Sequence, residues 1–100
     1  MATEETVTKR AIKHYLGIMG WWCFHVLQGL GSYKGTPDLI AMKDGIVLFL
    51  EVKAQKGKQS DHQKAFEDRV VQFGGRTAYY MLVKSTQELE TKLKWLSVAR

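Results

Sequence analysis

Apolar positions at the start of the chain recur at helical spacing. Val7, Ala11, Tyr15 and Ile18 form one stripe, widened by Ile12, Leu16 and Met19, which predicts a helix over residues 3–19. Thr3 can cap its start, Glu4 and Glu5 lie in the first turn, bases follow, and Gly20 closes it, the order that capping and the helix macrodipole favour. The period then changes. Residues 21–28 are dense in aromatic and apolar types and read as a strand. Residues 29–35 hold three glycines and read as a loop. Two more apolar runs, 37–42 and 46–53, flank Asp44–Gly45 and read as paired strands. A polar, lysine-rich loop covers 54–59. Ser60 with Gln63 has capping-box spacing and opens a second helix that ends at Phe73, before Gly74 and Gly75. Residues 76–83 read as a fourth strand. Ser85 with Glu88 is a second capping box, starting a third helix through Leu89, Leu93 and Leu96.

The order is therefore αβββαβα, with no repeat, low-complexity stretch or linker. Residues 1–100 read as a single α/β domain. The first three strands suit a meander. A helix then crosses over and returns the fourth strand parallel to a neighbour, giving a mixed four-stranded sheet with helices on both faces.

The Asp44–Gly45 turn carries the chemistry. Asp-Gly between apolar runs signals a two-residue hairpin, because both residues tolerate positive φ. With a two- or four-residue loop Lys43 faces Ile46, and counting outward from the turn puts Asp38 opposite Glu51; a three-residue loop with a bulge would shift the pairing by one. Facing Cβ atoms lie about 4.5–5.5 Å apart, and like charges so placed are destabilising. A divalent cation between the two carboxylates is the usual remedy. Lys53 lies two residues beyond Glu51 and shares its face, whereas Val52 points the other way. Because the flanking residues are apolar on both faces, the sheet is expected to be covered on both sides.

Charge sharpens this picture. The net charge is +5, which suits a polyanionic partner. Lys9, Arg10 and Lys13 cluster on the first helix. Lys34 precedes the Asp38 strand, and Lys56 and Lys58 follow the Glu51 strand, where phosphates would lie beside a metal site. His14, His25, His62 and Cys23 have no zinc-ligand spacing, and no P-loop is present. Lone Cys23 excludes an intramolecular disulfide and is expected to be a buried, inert thiol in a reducing cytoplasm. No apolar run reaches the roughly 20 residues of a bilayer span, and no signal peptide is recognisable.

The ordered set Lys34-Gly35-Thr36-Pro37-Asp38-Leu39-Ile40, Glu51-Val52-Lys53, then Ser60 and Gln63 resembles the virus-type replication-repair nuclease (VRR-NUC) domain of the PD-(D/E)xK nuclease superfamily. The similarity runs from the first helix to the fourth strand. It implies a restriction-endonuclease-like αβββαβ core with a C-terminal helix. It also implies a magnesium- or manganese-dependent endonuclease. In that resemblance Asp38, Glu51 and the Val52 carbonyl hold the metal, Lys53 positions the attacking water and stabilises developing charge, and Gln63 orients these parts. Small phage-encoded members resemble Holliday-junction resolvases acting as homodimers, which implies branched DNA as substrate and the host cytoplasm as location.

Each assignment has a bland alternative on the residues alone: a purely structural site for Asp38, Glu51 and Lys53, and solvated loop positions for Lys34, Lys56 and Lys58. Gln63 shares a helical stripe with Phe66, Val70 and Phe73 and can turn inward, but it is also the capping-box partner of Ser60. A first-helix carboxylate often completes such sites. The apolar stripe centres near roughly 55–60° on a helical wheel, with Glu4 at about 40° and Glu5 at about 140°, which favours Glu4; the alternative is that both acids serve only the helix dipole. Trp21, Trp22 and Trp95 read as core or subunit-contact residues, with Trp95 and Val98 as exposed apolar candidates. The rival functions are a monomeric nuclease for flaps, single strands or duplexes, and a non-catalytic DNA-binding module.

Overall fold

The structure, a computed structural model, describes residues 3–99, with Val98 and Ala99 described by backbone alone. Helix α1 spans Glu4–Ile18, β1 Trp22–His25, β2 Leu39–Lys43, β3 Ile46–Val52, α2 Asp61–Phe73, β4 Ala78–Val83 and α3 Thr86–Ala99. The Thr3 hydroxyl accepts from the Thr6 N–H, and the Ser85 hydroxyl accepts from the Glu88 N–H, so both expected caps are made.

The sheet order is β1-β2-β3-β4, with the first two pairings antiparallel and β3–β4 parallel. Helix α2 makes the crossover. The hairpin register is the one the turn dictates: Lys43 faces Ile46 and Leu39 faces Leu50. Asp44 has φ 51° and Gly45 φ 81°, both in the left-handed region that a two-residue primed turn needs.

Alternation along β3 sorts two layers. Leu48, Leu50 and Val52, with Leu39, Ala41, Met81 and Val83, pack against Ile12 and Leu16 of α1 and Leu89 of α3. On the opposite face Phe66 of α2 stacks edge-on against Phe49 at 5.5 Å and lies 6.3 Å from Tyr80. The sheet thus has helices on both faces, as the restriction-endonuclease-like class requires.

Two elements depart from the sequence reading. Strand β1 ends at His25 rather than 28, because Leu27 and Leu30 project into solvent with nothing to pack against. In α1 the buried residues are Ile12 and Leu16, while Val7, Ile18 and Met19 are exposed. The inward face therefore centres near about 140° on the wheel, not 55–60°. Trp21 packs on the core margin, whereas Trp22 and Trp95 are exposed. Cys23 is half-buried rather than fully buried as expected, and burial pushes its thiol up to about 11. Val98's side chain falls outside the described ones.

Candidate active site

Fully buried Pro37 leads Asp38 to the mouth of β2, while Glu51 sits near the end of β3. Continued one step past Leu39–Leu50, the register makes them neighbours. Both carboxyls are buried, at 8% and 2% exposure. Asp38 Oδ2 accepts the Val52 N–H at 2.8 Å, and its Oδ1 lies 3.3 Å from Lys9 Nζ. Glu51 Oε1 accepts from Gln63 Nε2 at 2.8 Å and lies 3.9 Å from Lys53 Nζ. Its second oxygen, Oε2, is buried with no hydrogen-bond partner.

That orphaned oxygen sets the electrostatics. Burial first, then the Asp38 carboxylate and, least, Glu5 together push the Glu51 carboxyl up to about 8, with Lys53 offsetting part of the rise. Two ionised acids facing each other with a lone pair unmatched need a positive species between them. A proton serves at neutral pH; a hard divalent cation, which prefers carboxylate and carbonyl oxygens, is the alternative. The donor set fits such an ion. Among the described residues no group of three or more His, Cys, Asp or Glu forms a metal cluster, so the protein's side-chain ligands would be these two.

Gln63 performs both roles that the sequence left open. Its Oε1 accepts the Ser60 N–H at 2.8 Å, the Ser60 hydroxyl accepts the Gln63 N–H, and its Nε2 reaches Glu51. The capping box and the site share one amide.

No family model and no curated protein matches the chain. Among solved structures, one described as a VRR_NUC domain aligns with a TM-score of 0.75 and 26% identity, over 93% of this chain and 97% of that one. The chain is VRR-NUC-like. A second similar structure is Hjc of Archaeoglobus fulgidus, described as a Holliday junction resolvase from an archaeal hyperthermophile. It aligns with a TM-score of 0.56 and 25% identity, over 77% of this chain and 66% of that one.

Other residues of the VRR-NUC-like chain take less central places. Lys34, Lys56 and Lys58 are exposed on loops; Lys34 borders a cleft with Gln28, Ser32, Thr36, His62 and Gln63. The helical wheel's choice of Glu4 is reversed: Glu4 is exposed, whereas Glu5 is half-buried and felt by Glu51. Exposed Val7, Ile18 and Met19 had drawn the stripe off its true centre.

Lys9 and Gln28 join the site unforeseen. Gln28 Nε2 donates to the Thr36 carbonyl at 2.9 Å and lies 3.5 Å from Asp38 Oδ1. Lys9 is visible in the sequence only as a basic helix residue, since at about 180° it lies far from the apparent apolar centre of the wheel. Gln28 offered no signal, since a long loop separates β1 from β2 and fixes no register.

Gly35 holds the two halves of the site together. Its φ is +82°, and a Cβ there would collide with the His62 carbonyl and come 3.0 Å from the Gln63 nitrogen. Gly35→Ala is expected to lower unfolding stability by about 2 kcal/mol or more, from left-handed strain and overpacking combined. Urea titration checks this, with Gly31→Ala, which faces open space at a similar φ, giving the backbone part alone.

Proposed function

We propose that this chain is a magnesium- or manganese-dependent DNA endonuclease that hydrolyses phosphodiesters at branch points, four-way junctions foremost, as a homodimer. The observation that carries the reading is the buried Asp38–Glu51 pair with an unmatched oxygen, flanked by Lys53 and Gln63. Likeness to a VRR_NUC domain and to a Holliday junction resolvase supports a nuclease- or resolvase-like role.

When bound, a divalent cation neutralises phosphoryl charge and makes water a better nucleophile at neutral pH. Asp38, Glu51 and the Val52 carbonyl would hold it. The chain's own groups do the rest. Lys53, partly buried beside Glu51, presents an ammonium to the phosphoryl oxygens or the attacking water, where a fixed cation in a dry site stabilises developing negative charge. Gln63 fixes the Glu51 carboxyl by a neutral hydrogen bond that adds no charge. The Val52 N–H fixes Asp38, so neither acid must reorganise when charge moves. Lys34, Lys56 and Lys58 would meet phosphates on the α2 side. A four-way junction needs two cuts, which a two-fold dimer supplies.

Incubation with labelled four-way, flap, single-stranded and duplex DNA is the test. The expected result is metal-dependent nicking near the branch, strongest on the four-way junction and absent in chelator. Cutting that persists in chelator overturns the metal mechanism, and equal cutting of every shape overturns junction selectivity. Light scattering that finds only monomer on DNA excludes the paired-cut scheme.

A further inference from the structure

On the α1 side of the sheet, away from Lys34, Lys56 and Lys58, helix α1 runs beside the free edge of β1. Between them lies an open cleft of about 600 Å³ lined by Arg10, Lys13, His14, Gly17, Ile18 and His25. No acid lines it. Among the described residues, neither Arg10 nor Lys13 has a carboxylate within ion-pair reach. Along α1 the bases stand in adjacent rows, Lys9 with Lys13 and Arg10 with His14, each pair four residues apart. Arg10 and Lys13, exposed and gathered without a counter-charge, favour an anionic occupant.

The cleft leads to the site. At one end Lys9 reaches Asp38 Oδ1 at 3.3 Å, and the Val26 N–H, next to His25, donates to the Asp38 carbonyl at 2.9 Å. A chain of phosphates at the carboxylate pair could therefore continue between α1 and β1 without leaving positive surface.

We propose that the α1–β1 cleft is a second track for the DNA backbone, with Arg10 and Lys13 as its phosphate contacts. It rests on the nuclease reading above and deepens it. One track lies on the α2 side of the sheet, the other on the α1 side, and they diverge from a single site. Divergent tracks suit two arms of a branched substrate better than one straight duplex.

The test is fluorescence anisotropy of a labelled four-way junction in chelator, across a salt series, for the wild-type chain and the double variant Arg10→Gln with Lys13→Gln. The expected result is affinity weaker by about tenfold or more at low salt. The plot of log affinity against log salt should also be shallower by about 1 to 2, the loss of one or two phosphate contacts. Thermal melting should be unchanged, since both side chains are exposed. The control is Arg76→Gln with Lys94→Gln, which removes the same charge at the hairpin end of the sheet, far from Asp38. That control should bind within about twofold of wild type.

Unchanged affinity and slope in the Arg10/Lys13 variant overturns the proposal. Equal weakening in the control overturns it too, because bulk charge would then be the cause. Wild-type cutting with magnesium is measured in parallel. A wild-type chain that binds the junction but never cuts it overturns the nuclease reading, while the anisotropy comparison still decides the cleft.

Discussion

Asp38→Asn is expected to reduce metal-dependent cutting by about 10²–10³-fold or more and to abolish saturable manganese uptake, with little change in fold. The asymmetry follows from what the carboxylate does. Its structural duties are to accept the Val52 N–H and to pair with Lys9; an amide oxygen can still accept the first, and only the partly exposed Lys9 contact is given up. Its chemical duty is to bring a second negative charge beside Glu51, which an amide cannot do. Loss of that charge also removes one cause of the raised Glu51 carboxyl. Calorimetric titration with manganese and a melting curve separate the two duties. Full metal uptake by the Asn variant would remove Asp38 from the proposed ligand set.

Without metal, stability should fall as pH rises toward 8, the reverse of ordinary acid denaturation. The folded chain holds the Glu51 proton up to about 8, whereas an unfolded glutamate releases it near 4.3. Between those values the folded state binds more protons, so the slope of unfolding free energy with pH is negative. This stabilisation is complete below the unfolded value and is lost as pH climbs through the folded one. Glu51→Gln should flatten that decline and raise the melting temperature at pH 8, because a neutral amide needs no partner ion. Divalent metal must displace the proton, so its stabilisation of wild type should grow from pH 6 to 8, and cutting should rise over the same range. Melting curves in chelator and in magnesium check both statements. A metal-free chain that grows more stable from pH 6 to 8 would exclude a protonated Glu51.

What the sequence made legible tracks how local its determinants are. Asp44–Gly45 fixes φ at two residues, and that was enough to set the β2–β3 register and to put Asp38 beside Glu51. The caps at Thr3, Ser60 and Ser85 were likewise readable, since each acts over three residues. Gln28 and the end of β1 were not. A loop of more than ten residues fixes no pairing, and Leu27 and Leu30 are apolar without being buried. The rotation of α1 was misread for a related reason. Val7, Ile18 and Met19 are as apolar as Ile12 and Leu16, and only the sheet beneath decides which of them it covers.

The shared Gln63 amide has a consequence for how the centre comes into being. Its oxygen is committed to Ser60 and its nitrogen to Glu51, so winding the first turn of α2 and seating the glutamate are one event. A chain in which that turn has frayed has also let go of its acid. Readiness for chemistry is thus set by the coil-to-helix step at a single turn, with no separate latch to be thrown.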